Sequence, residues 1–347
     1  MERESFNRSQ NDTCLYYRFS NGRKLYLLIY VDDLIIVGSD LEEVISFKSK
    51  LSQYFKMKDV RPVSTYLGIK VEHNLSSGVT TLNQTDYLKQ VLERFGMTNC
   101  KSVSTPMDAN FRTNLKNVVT GDKGLERKCR SLIGCLMYAM LGSRPDLCYP
   151  ISFLSRFQDR VSEELWSALK RILRYIKGTL ELNLVYRKGG NLQLEGFVDA
   201  DWAGDAEARH STSGYLFRIG SATVSWSSKR QTTVALSSTE AEYVALSFSV
   251  TEACFIRKIL KDLRITQPVG CPTTIFEDNQ SAIQIANSEE NKRLKHVAVR
   301  FHYVKEKLKD GTVMLQYIST QDQLADILTK PLGRLSFQKL REGCGLE

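Results

Sequence analysis

Four acidic residues stand at positions where carboxylates could bind divalent cations. Asp199 ends a run of β-type residues, and Glu242 lies in the first turn of a long amphipathic helix. Asp278 ends another β-type run, and Asp326 lies on the last predicted helix. Carboxylates without His or Cys are ligands suited to hard cations such as Mg²⁺. Four of them in one place would suit two-metal hydrolysis of a phosphodiester bond.

Each of these acids also has a plainer interpretation. Glu242 belongs to Thr239-Glu-Ala-Glu242, which reads as a capping box. Asp278 could cap the helix that follows it, and Asp326 could be a solvated helical acid. Taken singly, these interpretations are the stronger ones.

The elements around the acids have a definite order. Short β-type runs over 192–198, 214–219 and 222–226 predict three antiparallel strands, followed by a helix with apolar residues at 3.6-residue spacing. A strand (273–276), a helix (280–286), a basic segment, a strand (313–318) and a helix (324–328) follow. If the first and fourth strands are parallel neighbours, their carboxyl ends place Asp199 and Asp278 side by side.

A second acidic motif lies near the N-terminus. Residues 25–36 form two β-rich runs around Val31-Asp32-Asp33-Leu34, which predicts a strand, a tight turn and a strand. A helix over 40–55, a hairpin around 76–78 and three amphipathic helices are predicted to follow. Gly178 and Gly189-Gly190 then break the pattern, and a length of 347 residues agrees with about two domains.

Charge is distributed unevenly along the chain. The formal net charge is +9, and residues 292–309 carry seven Lys and Arg against one Glu. A basic segment of this kind is either a solvated helix face or a contact for a polyanion such as a nucleic acid.

Other classes of protein are disfavoured by composition. The eight cysteines are scattered without a CxxC pair, which favours a reduced intracellular compartment over a disulfide framework or zinc site. Residues 1–12 lack the apolar stretch of a signal peptide, and the apolar run over 25–37 contains Asp32 and Asp33. A membrane role is not expected.

Four boxes follow one another in the C-terminal part. They are Phe197-Val-Asp-Ala-Asp-Trp-Ala-Gly204, Ser237-Ser-Thr-Glu-Ala-Glu-Tyr-Val-Ala-Leu246, Phe276-Glu-Asp-Asn-Gln-Ser281 and Gln323-Leu-Ala-Asp-Ile-Leu-Thr-Lys-Pro331. Together they resemble the ribonuclease H domain of copia-type long-terminal-repeat retrotransposons. The resemblance implies a catalytic, metal-binding set of Asp199, Glu242, Asp278 and Asp326. It leaves open Glu240 instead of Glu242, and Asp201 instead of Asp199. The mobile His of many ribonucleases H has no counterpart in 317–321.

The N-terminal part resembles the same family. Tyr30-Val-Asp-Asp33 is similar to the catalytic box of reverse transcriptases, which implies that Asp32 and Asp33 are catalytic metal ligands. Boxes at 66–70, 130–138, 144–146 and 173–178 follow in the family's order. In that family another metal-binding Asp, the fingers and most of the palm precede the box. The resemblance therefore implies the C-terminal part of a Pol polyprotein, from a truncated element or an incomplete gene model, with incomplete polymerase activity.

The resemblance implies a fold for each part. Residues 1–185 are expected to be an α+β partial reverse transcriptase, with a palm hairpin and a thumb- or connection-like helical region. Residues 190–332 are expected to be an α/β ribonuclease H-like domain with a five-stranded mixed sheet, followed by a tail over 333–347.

It also implies a function, which is Mg²⁺-dependent hydrolysis, with Mn²⁺ as a substitute, of RNA in RNA/DNA hybrids during reverse transcription. Lys292, Arg293, Lys295 and Arg300 are expected to bind the nucleic-acid backbone. The implied partners are the hybrid, template RNA, nascent DNA and the rest of a Pol polyprotein, and the implied location is a cytoplasmic virus-like particle or the nucleus. Two alternatives are a polymerase part that acts with an upstream segment and an inactive nucleic-acid-binding relic.

Overall fold

The structure is a computed structural model that describes residues 4–60, 62–111, 121–189, 192–204, 209–220, 222–265, 271–288 and 298–347. The chain divides into two compact units. The first comprises Met1–Ser64 and Cys254–Val269, and the second comprises Thr65–Ala253 and Gly270–Glu347. Within the described ranges, no helix combines the length and apolar character needed to cross a lipid bilayer.

The first unit is built on a four-stranded antiparallel sheet in sequence order. Its strands are β1 (Asn7–Arg8), β2 (Leu15–Ser20), β3 (Arg23–Tyr30) and β4 (Asp33–Gly38), followed by helix α1 (Leu41–Tyr54). Asp40 caps α1 by accepting a hydrogen bond from the Glu43 amide. Phe47 and Leu51 of α1 pack against Leu25 and Leu27 of β3. The predicted hairpin and helix are therefore confirmed.

The second unit begins with a small antiparallel sheet and a helical region. The sheet contains β5 (Thr65–Tyr66), β6 (Ile69–Asn74), β7 (Val79–Asn83) and β8 (Leu184–Arg187), in that order. The helices are α2 (Thr85–Arg94), α3 (Lys123–Gly142), α4 (Cys148–Leu154) and α5 (Glu163–Lys177). The predicted amphipathic helices correspond to α2, α3 and α5, whereas α4 and β8 were not predicted.

A larger mixed sheet follows in the same unit. Its strands are β9 (Leu194–Asp201), β10 (Thr212–Ile219), β11 (Ala222–Arg230), β12 (Thr273–Glu277) and β13 (Val313–Tyr317), in the order β11-β10-β9-β12-β13. The first three are antiparallel, and β12 is parallel to both β9 and β13. Helix α6 (Ser238–Asp262) connects β11 to β12, and α7 (Gln280–Asn287) and α8 (Ala298–Lys309) precede β13. The predicted α/β ribonuclease H-like fold is confirmed by this order.

One hydrophobic core joins the helical region to the mixed sheet. It contains Leu132, Leu136, Leu169, Ile172, Leu173, Phe197, Leu216 and Leu328, among other buried residues. Inside it, the Arg144 guanidinium forms a bidentate ion pair with Asp146 at 2.9 and 2.8 Å. The Tyr175 hydroxyl donates to the same carboxylate at 2.6 Å. This buried acid is therefore paired on both oxygens, as burial of a charge requires.

The C-terminal residues pack into the second unit. Helix α9 (Arg334–Gly343) buries Phe337 and Leu340 in the core just described. Beyond it, Glu347 and Asn183 exchange backbone hydrogen bonds of 2.7 and 3.0 Å. The bounds expected from the sequence, 1–185, 190–332 and 333–347, stay a prediction.

Candidate metal centre

Three acids of the second unit converge at one edge of the mixed sheet. Asp199, Glu242 and Asp278 each offer a carboxylate oxygen, and these oxygens lie within 4.8 Å of one another. The parallel register of β9 and β12 explains the first pair. Phe197 lies opposite Phe276, their rings stack at 4.9 Å, and each strand reaches its acid two residues later. The predicted meeting of Asp199 and Asp278 at the carboxyl ends is therefore observed.

Another acid, Glu240, caps the helix that carries Glu242. The Glu240 amide donates to Ser237 Oγ at 3.2 Å, and Glu240 Oε2 accepts from the Leu236 amide at 2.9 Å. This exchange follows capping-box logic, with Ser237 rather than Thr239 as the capping hydroxyl. Two residues later along the helix, the Glu242 side chain joins the other acids. Neither Glu240 nor Asp201 belongs to the group whose oxygens converge.

Asp326 approaches the same edge on a short 3₁₀ helix, Leu324–Leu328. The sequence predicted that the element carrying Asp326 would be the last helix, but α9 follows it. Gly214 on β10 permits this approach, since a Cβ there would lie 2.7 Å from Thr329 Cγ2 and 2.9 Å from Leu328 Cβ. Asp326 is buried, and the Lys330 ammonium lies 2.9 Å from its Oδ1.

Hydroxyl and amide groups hold the acids and strands in place. The Thr329 hydroxyl donates to Asp199, and the Thr320 hydroxyl donates to Asp278 Oδ2 at 2.7 Å. The buried Gln323 amide donates to the carbonyl oxygens of Val198 and Phe276, at 2.9 and 3.3 Å. These carbonyls belong to β9 and β12, so Gln323 joins the two strands one residue before Asp199 and two residues before Asp278.

Burial makes the cluster electrostatically unfavourable without a cation. Asp199 is 2% exposed and Glu242 6% exposed. Burial raises the pKa of Glu242 well above its ordinary value, and the carboxylates of Glu277 and Asp199 add to the shift. Burial likewise raises the pKa of Asp199. Burial and the Asp199 charge raise the pKa of Asp326 to about 7.

A fifth acid, Glu277, lies beside the cluster. It ends β12, is completely buried, and accepts a hydrogen bond from the Asn279 amide on Oε1. Burial raises the pKa of Glu277 well above its ordinary value. It is not part of the group of three converging acids.

The donor set fits a divalent cation of the Mg²⁺ type. Buried Oε2 of Glu242 has no hydrogen-bond partner in the described part of the chain. A buried carboxylate oxygen in this state is costly unless a cation or proton neutralises it. The converging ligands are all carboxylates, which Mg²⁺ and Mn²⁺ accept, and softer cations would prefer His or Cys. The residues whose oxygens converge as such ligands are Asp199, Glu242 and Asp278. The metal-binding role expected of Asp326 stays a prediction.

The acids of the N-terminal motif are arranged differently. Both acids are exposed in the first unit, where Asp32 lies on the turn between β3 and β4 and Asp33 begins β4. Val31 in this turn has φ +52°, a left-handed conformation that is strained for a β-branched residue. Among the described residues, neither acid belongs to a group of three potential metal ligands. Their metal-binding role stays a prediction.

The predicted nucleic-acid contacts can be followed only in part. Lys292, Arg293 and Lys295 lie outside the described residues. Arg300 is on α8, is half-buried, and its guanidinium lies over the Phe248 ring at 4.9 Å. Its role in binding a nucleic acid stays a prediction.

Sequence reasoning missed the residues that support the acids. They are Thr320, Gln323, Thr329 and Lys330; the further buried acid Glu277 was missed as well. Lys330 carried a signal, because it follows Asp326 at the i,i+4 spacing of a helical ion pair. The Thr320 and Thr329 hydroxyls and the Gln323 amide carried no such signal, since their hydrogen-bond partners are distant in the sequence.

Comparison with known proteins supports one family. A family profile described as reverse transcriptase (RNA-dependent DNA polymerase) matches residues 1–109. The retrovirus-related Pol polyprotein from transposon TNT 1-94 of Nicotiana tabacum is 38% identical, covering 100% of this chain and 26% of that protein. The corresponding polyprotein from transposon RE1 of Arabidopsis thaliana is 36% identical, covering 98% of this chain and 23% of that protein. The chain thus spans about a quarter of the length of these relatives.

Among solved structures, ribonuclease H1 of the archaeon Halobacterium salinarum matches with a TM-score of 0.30 and 13% identity, covering 40% of this chain and 94% of that chain. The fold assignment depends on strand order and pairing in the mixed sheet rather than on this score. The family assignment depends on the sequence matches, which run along nearly the whole chain. This chain belongs to the family of copia-type retrotransposon Pol polyproteins.

Proposed function

We propose that the second unit hydrolyses the RNA strand of RNA/DNA hybrids with two divalent cations. Asp199, Glu242, Asp278 and Asp326 hold the cations, which are Mg²⁺ or, as a substitute, Mn²⁺. The observation that carries the proposal is the convergence of three carboxylates from separate elements, two of them buried, with a fourth beside them. An acidic cluster with an unpartnered buried oxygen is unfavourable in itself, and cation binding offsets that cost.

Held by these four acids, the cations would supply a hydroxide nucleophile and neutralise the leaving oxygen. The protein's part is to orient and desolvate its ligands. The Thr329 and Thr320 hydroxyls fix the carboxylates of Asp199 and Asp278, and the Gln323 amide fixes the strands that carry them. Because such groups are already held in place, little free energy is needed to rearrange them during the reaction.

The proposed substrate and context follow from the family. The domain would extend over residues 190–332, after a reverse transcriptase part over 1–185. Lys292, Arg293, Lys295 and Arg300 would contact the hybrid backbone. As part of a longer Pol polyprotein, the chain would act on template RNA and nascent DNA, in a cytoplasmic virus-like particle or in the nucleus.

A second candidate function is supported by the N-terminal match. The reverse transcriptase profile covers residues 1–109, and Asp32 and Asp33 are exposed on a tight turn. This segment would contribute the Tyr30-Val-Asp-Asp33 turn to polymerisation within a longer polypeptide. Primer extension by this chain alone would show that polymerisation does not need the longer polypeptide, and it would favour polymerisation as a function of this chain.

A cleavage assay tests the leading proposal. Purified full chain is incubated with Mg²⁺ and a hybrid whose RNA strand is labelled at its end. We expect cleavage by the unmodified chain and its loss in Asp278→Asn. The matched control is Asp322→Asn, because Asp322 is an exposed acid paired with Lys339. An intact hybrid, or equal cleavage by Asp278→Asn, would contradict the proposal. Salt-sensitive binding of the hybrid without cleavage would favour the alternative of an inactive relic that only binds nucleic acid.

A further inference from the structure

A lysine side chain enters the acidic cluster. Lys330 Nζ lies 2.9 Å from Asp326 Oδ1 and 3.7 Å from Asp199 Oδ2. The side chains of these two acids are only 7% and 3% exposed, whereas that of Lys330 is 32% exposed. One ammonium group therefore bridges two buried carboxylates while its stem still reaches solvent.

We infer that the Lys330 ammonium is a tethered counter-ion of the cluster, and that divalent cations must compete with it for Asp199 and Asp326. The inference rests on the proposed metal-binding function and adds a residue to which that function assigned no role. It predicts that Lys330 weakens cation binding and stabilises the protein when no cation is present.

The geometry distinguishes Lys330 from an ordinary surface ion pair. Exposed pairs at i,i+4 contribute little to stability, because water screens both charges. Here both carboxylates are buried, and Asp199 converges with Glu242 and Asp278, which add like charge. The Lys330 charge lowers the pKa of Asp199, of Glu242 and of Asp326, opposing the effect of burial. Its influence therefore extends over the cluster and not over Asp326 alone.

Cation binding at the same carboxylates then faces a like charge. If Lys330 stays, a divalent cation bound by Asp199 and Asp326 is repelled by the ammonium at short range. If Lys330 swings into solvent, both of its short contacts are lost. By either route, cation binding becomes less favourable. A neutral side chain at this position removes the competition.

The test measures cation binding without substrate. Mn²⁺ is titrated into the full chain, and free Mn²⁺ is followed by its electron paramagnetic resonance signal. Binding lost in Asp278→Asn defines uptake at the cluster. We expect Lys330→Gln to bind Mn²⁺ about tenfold more tightly than the unmodified chain, since a close positive charge is removed. We also expect a lower Tm in EDTA and a larger rise of Tm on adding Mn²⁺.

Three further variants control the measurement. Lys330→Arg keeps the charge and should bind Mn²⁺ as weakly as the unmodified chain. Lys330→Met keeps the apolar stem and repeats the neutral substitution if the Gln variant does not fold. Lys307→Gln removes a lysine of the same charge that pairs with Glu306 and Asp310 on the surface, and it should leave Mn²⁺ affinity unchanged.

The outcomes separate this inference from the proposed function. Neutral Lys330 variants that bind Mn²⁺ no more tightly overturn the inference, whether or not the hybrid is cleaved. A lysine with a merely structural role would give weaker binding on substitution. Cluster uptake of Mn²⁺ without hybrid cleavage overturns the proposed function alone. Equal Mn²⁺ uptake by the unmodified chain and Asp278→Asn overturns the inference and the metal site together.

Discussion

The two acidic motifs of the chain occupy contrasting environments. Asp199 lies near the carboxyl end of β9, Asp278 directly follows the parallel strand β12, and each accepts a hydrogen bond from a threonine hydroxyl. Asp32 and Asp33 lie on an exposed hairpin turn of the first unit, and the described residues supply no third acid within ligand distance. One motif is a cluster assembled from distant segments, and the other is a local pair.

The contrast teaches what makes acids into a site. Adjacent acids on a turn are presented by local geometry alone, and water screens their charges. The cluster instead concentrates carboxylates in a buried position, where neutralisation is required. Asp146, in the same unit, is equally buried but fully paired with Arg144 and Tyr175, so it needs no cation. An unpaired buried acid is therefore a better indicator of chemistry than an acidic sequence motif.

The largest expected effect separates the two motifs directly. If Asp278 is a metal ligand as proposed, Asp278→Asn should reduce hybrid cleavage at least about a thousandfold, since several kcal/mol of transition-state stabilisation would be removed. Asp32→Asn should leave cleavage close to that of the unmodified chain, because Asp32 lies on the other motif. Initial rates with a labelled hybrid and saturating Mg²⁺ provide the measurement. Equal losses in both variants would show that the motifs act together.

The next largest effect is expected where the Gln323 side chain joins strands β9 and β12. Gln323→Leu removes the donor to the Val198 and Phe276 carbonyls and should lower the free energy of unfolding by about 2–3 kcal/mol. Cleavage should fall as well, because the ends of β9 and β12 lose their link. Urea denaturation measures the stability. Gln321→Leu is the control, since Gln321 is exposed, and an equal loss there would refute a specific role for Gln323.

Asp326 should make the metal-free protein less stable as pH rises. Its folded pKa of about 7 exceeds its ordinary value of 3.8, so the folded state binds the extra proton. The resulting stability is present below pH 4 and is lost as pH rises through about 7. In EDTA, Asp326→Asn should match the unmodified chain at low pH and be more stable at pH 8 by on the order of 2 kcal/mol.

Asp322 supplies the control of opposite sign for this pH profile. Its hydrogen bond with Lys339 lowers the pKa of Asp322, so the charged form stabilises the folded state above its ordinary pKa. Asp322→Asn should therefore be slightly less stable than the unmodified chain at neutral pH. Thermal unfolding from pH 4 to 8 follows both variants. A gain in stability for Asp322→Asn, or none for Asp326→Asn, would contradict the electrostatic contrast.

The smallest expected effect concerns the hairpin turn. Val31→Gly relieves a left-handed φ of +52° and should stabilise the chain by about 1 kcal/mol, after the backbone entropy of glycine is deducted. Little burial is lost, because Val31 is 82% exposed. Val37→Gly, at an exposed strand position, is the control and should destabilise. A destabilising Val31→Gly would mean that the turn is not strained.

Much of the fold was predictable because its signals are local. Alternating β-type residues gave the β3–β4 hairpin and the strands of the mixed sheet, and the 3.6-residue period gave α1, α2, α3, α5 and α6. The strand β8 was not predicted, because its partner β7 lies about a hundred residues earlier. Helices α4 and α9 were also missed. They are short elements whose stability depends on burial in the core of the second unit.

The sequence by itself determined the family and the α+β and α/β parts, and it predicted four acids as a site, because these signals are carried by motifs and by local periodicity. Only the tertiary structure decided that Glu240 caps its helix while Glu242 joins Asp199 and Asp278. The same is true of Lys330, whose bridge to Asp199 spans well over a hundred residues of chain. Contacts of this kind depend on strand register and on the packing of distant segments, where a shift of one residue reverses the side a residue faces.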